Sequence, residues 1–81
     1  MSFKEVINEL QSKIEQKRNW NNLYRIINES VYSYNDIADF LELKTTRVIY
    51  EWTNGNKLPS VENLINLAKF LNVQVEDILV L

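Results

Sequence analysis

Arg47, Tyr50, Glu51 and Asn54 stand at i, i+3, i+4 and i+7, a spacing that brings all four to one face of a helix. Thr46 flanks the N-terminal end of that face and Thr45 precedes it. Lys44 lies just before the segment, and Asn54, Asn56 and Lys57 lie at its far end. Side chains of these types can read the edges of bases and hold phosphates. A guanidinium bonds guanine O6 and N7 bidentately, with about 1–3 kcal/mol of discrimination. The threonines reach a phosphate or a thymine methyl, and Tyr50 can do either. Lysine and asparagine at helix ends suit phosphate contacts, which fix position without reading sequence.

The same residues also have plainer uses. Arg47 and Glu51 can pair across one helical turn, worth ~0.2–0.5 kcal/mol. Thr45 can serve as an N-cap, Tyr50 can fold onto the edge of the core, and Lys57 can be a solvated loop lysine. Glu51 repels phosphate. It can accept from cytosine N4, but an indirect role suits it better.

The elements that must position this face are legible on either side of it. Ile37, Ala38 and Leu41 sit at i, i+1 and i+4, and Val48, Ile49 and Trp52 repeat that arrangement eleven residues later. Glu42, Leu43 and Lys44 separate the two sets. Two short amphipathic helices joined by a three- or four-residue turn describe a helix-turn-helix. Its second helix, here about 45–53, usually enters the DNA major groove. With Val48, Ile49 and Trp52 inward, the Arg47 face points outward.

The rest of the chain reads as further helices. Phe3, Val6 with Ile7, Leu10 and Ile14 form a helical stripe. From Lys17 to Asn22 the pattern weakens and asparagines accumulate, so one helix ends and another begins. Leu23, Ile26 with Ile27, and Val31 make the next apolar set. Ser33 is placed to cap the first motif helix, with Asp36 in its first turn. The single Gly and single Pro both fall in the loop Asn54 to Pro59, the clearest break in the chain. Ser60 can then cap a helix through Val61, Leu64, Ile65, Leu67, Ala68 and Leu71. Asn72 can end that helix in a left-handed conformation. A last helix covers Val75 to Val80, with Glu76 and Asp77 in its first turn. No strand-like alternation of useful length appears, so an all-α fold is expected.

Composition narrows the function classes. Eighty-one residues make one domain, and 46% hydrophobic content allows a small core without staples. There is no cysteine and no histidine, which removes disulfides, thiolate metal sites and the commonest general acid-base. No enzyme, metal or cofactor is expected. No apolar run approaches the ~20 residues that span a bilayer, and the N-terminus lacks the basic-then-apolar layout of a secretory signal. A soluble, cytoplasmic protein with no membrane partner is expected. The net charge is −2, and residues 33–81 hold four basic against seven acidic side chains. Local placement matters more than the sum, and Lys44, Arg47 and Lys57 all fall near the outward face.

The segment from about Leu23 to Val80 resembles the lambda-repressor and Cro (Xre) helix-turn-helix family. The resemblance is carried by Ser33, Ile37-Ala38, Leu41, Leu43, Ile49, Trp52, Asn54-Gly55, Pro59-Ser60, Leu64, Leu67-Ala68, Leu71, Val73 and Glu76-Asp77-Ile78-Leu79. The combination W-x-x-G-x-x-x-P before a leucine-rich helix is its most specific part. It implies a compact five-helix DNA-binding domain over residues 21–81, with residues 1–20 as an additional N-terminal amphipathic helix. Many members have Gly at the position of Glu42, so Glu42 is expected at positive φ, at roughly 1 kcal/mol. Many members carry Gln where Tyr34 stands, to hold a phosphate, so Tyr34 inherits that position with a single phenolic donor.

The resemblance implies a sequence-specific regulator of double-stranded DNA, repressor-like and dimeric, with half-sites about 34 Å apart. The N-terminal stripe either packs on its own domain or forms a dimer helix. The apolar run Ile78 to Leu81 cannot wholly face one core from a single helix, so part of it is expected to meet a partner subunit. The acidic balance and Glu51 point to an alternative: the same fold reused as a protein-interaction module, such as an antitoxin, antirepressor or phage-encoded inhibitor.

Overall fold

Helix starts in this chain are made by short side chains that accept backbone N–H groups. In the computed structural model, which describes residues 2–17 and 19–79, Ser2 Oγ accepts from Glu5 N–H at 3.2 Å and opens α1 (Phe3–Gln16). Asn19 Oδ1 accepts from Asn21 N–H at 2.8 Å ahead of α2 (Asn21–Glu29). Ser33 and Asp36 exchange reciprocal bonds, 3.1 and 2.9 Å, at the head of α3 (Tyr34–Phe40). Ser60 Oγ accepts from Asn63 N–H at 3.1 Å before α5 (Val61–Leu71). The Asp77 carboxylate accepts from Gln74 N–H at 3.0 Å at the start of α6 (Val75–Ile78). α4 (Arg47–Thr53) is the second helix of the motif. The serine N-caps, Ser2, Ser33 and Ser60, are each worth about 1 kcal/mol.

Helix stops follow one pattern three times. After α3, Leu43 N–H reaches the Ala38 carbonyl at 2.8 Å and Glu42 N–H the Asp39 carbonyl at 3.2 Å. After α4, Asn56 N–H reaches Glu51 at 2.9 Å and Gly55 N–H reaches Trp52 at 3.1 Å. After α5, Val73 N–H reaches Ala68 at 3.0 Å and Asn72 N–H reaches Lys69 at 3.2 Å. This nested pair of bonds is the Schellman stop, which requires a left-handed residue just past the helix. The three residues in that place are Glu42 (φ 58°), Gly55 (φ 77°) and Asn72 (φ 57°), the only positive-φ residues among those described. Glycine and asparagine accept that geometry readily; glutamate does not.

The core is a single cluster in which every helix takes part. Ile14 of α1, Leu23 and Ile27 of α2, and Ile37 and Ala38 of α3 are buried. Ile49 and Trp52 of α4 join them, with Leu64, Leu67, Ala68 and Leu71 of α5 and Ile78 of α6. α5 packs on α1, α3 and α6, while α2 packs on α4 and α6. The Asn22 side-chain amide donates to the Asp77 backbone carbonyl and ties α2 to α6. No helix among the described residues is long and apolar enough to cross a membrane.

The structure corrects several expectations. The N-terminal stripe is buried only at its far end: Ile14 is in the core and Ile7 and Leu10 are half-buried, but Phe3 is 81% exposed and Val6 is exposed. α1 therefore docks by its C-terminal half. Val31 is not part of the α2 apolar set. It lies beyond the helix end and is 92% exposed. The motif turn is longer than three or four residues. Leu41 already leaves α3 at the Schellman stop and α4 begins only at Arg47, so residues 41–46 connect the helices. Thr45 and Thr46 thus precede the second helix instead of opening it. α6 ends at Ile78, with Leu79 also buried; Val80 and Leu81, the rest of the expected C-terminal run, lie outside the described residues.

One buried residue carries no periodic signal in the sequence. Trp20, in the connection between α1 and α2, is 2% exposed, and the Lys17 ammonium stands 5.3 Å from its ring centroid. That distance is within cation–π range. Lys17 is itself buried, and desolvation lowers its pKa from the ordinary lysine value.

Candidate nucleic-acid interface

The two motif helices are fixed to each other by their inner residues and by one outer pair. Ile37, Ala38, Ile49 and Trp52 are buried, so the opposite faces of α3 and α4 have no freedom to rotate inward. At the rim the Tyr34 and Tyr50 rings pack at 4.3 Å between centroids, tilted by 39°. Tyr50 remains half-exposed. Its ring thus packs on Tyr34 at the core edge, and the rest of it stays on the surface.

Tyr34 departs from its expected role. Its hydroxyl is buried without a hydrogen-bond partner, so in this conformation it is not offered to a phosphate. The neighbouring Thr53 hydroxyl donates to the Tyr50 carbonyl at 2.9 Å. Burial raises the Tyr34 pKa above the ordinary phenol value, and the adjacent Thr53 hydroxyl offsets only part of that rise.

The remaining expected contacts are distributed around α4. Thr45 Oγ1 accepts from Arg47 N–H at 3.3 Å just ahead of the helix, but the N-cap position is Thr46, which makes no side-chain cap bond and is half-buried. Lys44 is exposed in the connecting turn, and Asn54 and Asn56 are exposed after α4. Arg47 projects from the first turn of α4 with its side chain 84% exposed.

Glu51 organises more of this surface than the sequence disclosed. Its Oε1 accepts from Arg47 Nε at 3.2 Å. Its Oε2 meets Lys57 Nζ at 3.2 Å, as an ion pair rather than a well-directed hydrogen bond. The Lys57 contact leads in holding the Glu51 carboxyl below the usual carboxylate range, and Arg47 adds to it. The Arg47 pairing was open to sequence reasoning because the two residues are i, i+4. The Lys57 pairing was not. It arises because the chain reverses at Gly55, after which Asn56 and Lys57 both donate their backbone N–H groups to the Glu51 carbonyl, at 2.9 and 3.2 Å.

A second surface was also missed. Tyr32, Phe40 and Phe70 form a ring stack, with centroids 4.3 Å apart for Tyr32–Phe70 and 4.5 Å for Phe40–Phe70. Tyr32 and Phe40 remain substantially exposed. The contact joins α3, α5 and the connection after α2, residues too far apart in sequence for periodicity to pair them.

Comparison with known proteins agrees with this geometry. The family model described as Helix-turn-helix matches residues 23–78. No curated protein and no solved structure matches the chain. The matched span runs from within α2 to the end of α6, more than half of the chain, and contains both motif helices and the turn between them. The chain belongs to the Xre/lambda-repressor-like helix-turn-helix family of DNA-binding regulatory domains.

Proposed function

We propose that this protein is a sequence-specific, repressor-like regulator that places α4 in the major groove and acts as a dimer. The observation that carries this reading is the outward face of α4. A guanidinium at 84% exposure stands on its first turn, with Tyr50 and Asn54 along the same face. Lys44 and Lys57 flank the helix at its two ends, where phosphate contacts position a domain on duplex DNA. Tyr34 takes part through its stack on Tyr50, not through its hydroxyl.

Affinity measured across a salt series, on random and on selected duplexes, tests the reading. Binding must weaken steeply with salt, at about 0.9 log units per log unit of salt for each phosphate neutralised. A palindromic site must emerge from selection. A folded protein that binds no duplex at low salt refutes it.

The dimer rests on the exposed end of α1. Phe3 and Val6 are apolar, adjacent on one helical face and uncovered, whereas Ile14 belongs to the core and cannot be removed without destabilising the domain. Sedimentation of a Phe3→Ser, Val6→Ser variant is the clean comparison. The parent should dimerise and the variant should not; a monomeric parent, or a variant that dimerises equally well, rejects this surface.

The aromatic stack of Tyr32, Phe40 and Phe70 favours a second reading, in which the fold also serves as a protein-interaction module. Under that reading Phe40→Ser abolishes capture of the partner while duplex binding is unchanged.

A further inference from the structure

Glu51 differs from an ordinary surface ion-pair residue in three ways. It serves two cations at once, Arg47 and Lys57, each at 3.2 Å. Its side chain is only 17% exposed, against 84% for Arg47 and 66% for Lys57, so the cations stand over it and it lies beneath them. Its backbone carbonyl accepts from Asn56 and Lys57, so the loop that returns Lys57 to the helix is fixed to the same residue.

We infer that Glu51 is the residue that sets discrimination at this interface, by orienting Arg47 toward a base edge and by cancelling part of the attraction to phosphate. The inference rests on the DNA-binding reading above. A guanidinium carries five N–H donors in a rigid fork. Glu51 takes the Nε edge and leaves the two terminal nitrogens, the pair that meets guanine O6 and N7. An arginine held in that way loses less rotamer freedom on binding than one free to rotate.

The charge acts on the other side of the ratio. Two cations and one carboxylate present a net charge of about +1 to the duplex, where two unpaired cations would present about +2. Sequence-independent binding scales with the phosphates neutralised, so the carboxylate lowers affinity for random DNA. Site-specific contact loses less, because the oriented fork is used only where a guanine is present. An acidic residue inside a basic face thereby raises the specific-to-random ratio.

Two substitutions separate charge from position. Glu51→Gln keeps shape and removes charge; Glu51→Asp keeps charge and withdraws the carboxylate by one methylene. Both are titrated, with the parent, against a random duplex and a selected duplex over a salt series. Glu51→Gln should bind random duplex more tightly at low salt, with a slope steeper by about 0.9. Its specific-to-random ratio should fall by roughly tenfold, within the range of one bidentate arginine contact. Glu51→Asp should relax the base preference at the Arg47 position with an unchanged slope. In the free protein, the Arg47 Nε–H resonance should shift as Glu51 is protonated, and that shift should vanish in Glu51→Gln.

An unchanged ratio in both variants, or an equal loss of affinity on both duplexes, overturns the role of Glu51 and leaves the DNA-binding reading intact. A parent that binds neither duplex overturns the DNA-binding reading itself, and the role of Glu51 with it.

Discussion

Replacing Glu42 by glycine should stabilise the domain. Glu42 sits at φ 58° in the Schellman stop after α3, where a side chain with a Cβ costs about 1–2 kcal/mol. Glycine relieves that strain, but it also enlarges the unfolded ensemble, which returns about 0.4–1 kcal/mol. The net gain is about 1 kcal/mol. An 81-residue domain has an unfolding entropy of about 170 cal/mol/K, so the melting temperature should rise by about 6 °C. Charge must be separated from geometry, because a carboxylate at a helix C-terminus is itself unfavourable. Glu42→Gln removes the charge and keeps the strain, so the difference between Gly and Gln isolates the backbone. Asn72 occupies the matching place after α5 at φ 57°; asparagine tolerates this region, so Asn72→Gly should gain far less. Thermal melts followed by circular dichroism, with urea titrations for the free energy, provide the measurement. A Glu42→Gly melting temperature equal to or below that of Glu42→Gln would refute the strain.

Four further outcomes are expected. Arg47→Ala should relax selectivity at one base position by about 1–3 kcal/mol, while Lys57→Ala should weaken all duplexes alike and shallow the salt slope by about 0.9; selection profiles that change equally for both would contradict this division. Tyr34→Phe should leave stability unchanged or raise it by up to about 1 kcal/mol, since it deletes a buried hydroxyl with no partner. It should also remove a component above the ordinary phenol range from the tyrosine absorbance titration, and a loss of more than 1 kcal/mol would show that the hydroxyl is bonded. Glu51 is held below the usual carboxylate range, first by Lys57, so the unfolded chain takes up its proton at higher pH than the folded one. Its contribution is therefore complete above the ordinary value of about 4.3 and is lost as pH falls through the lower folded value; in Glu51→Gln the acid limb of the stability profile should be flatter, and an identical limb would dismiss the pairing. Ile14→Ala should cost about 2–5 kcal/mol, against less than ~0.5 for exposed Phe3→Ala; equal costs in denaturant titrations would mean that α1 does not dock by its C-terminal half.

Local chemistry made much of the fold legible in advance. Ser33, Ser60 and Asn72 act where short-range rules placed them, because a cap or a left-handed residue needs only its neighbours in sequence. The inward sets of α4 and α5 followed from helical period. The failures occur where tertiary contact decides. Phe3 and Ile14 share one stripe, yet only the end that reaches the core is buried. Trp20 fills the core from a connection with no period at all. Tyr32, Phe40 and Phe70 meet from three separate segments. At the interface, spacing identified the Arg47 face and allowed the Arg47–Glu51 pair, but the reversal at Gly55 that returns Lys57 to Glu51 is a three-dimensional fact. The Tyr34 hydroxyl turned inward for the same kind of reason: the position of Tyr50 across the motif is not written in the neighbours of Tyr34.

Trp20 and its overlying Lys17 make the joint between α1 and the rest of the domain optically addressable. The chain has two tryptophans, both 2% exposed, and they stand at different places: Trp20 at the α1–α2 joint and Trp52 on α4. With Trp52 replaced by phenylalanine, the emission of Trp20 alone would report whether the joint opens before the domain unfolds, as local opening below the global free energy allows. The ammonium above its ring adds a proton-dependent signal, because Lys17 sheds its charge earlier than an exposed lysine. Opening at the α1–α2 joint and melting of α4 can thus be followed separately, in Trp52→Phe and Trp20→Phe variants that each keep one tryptophan.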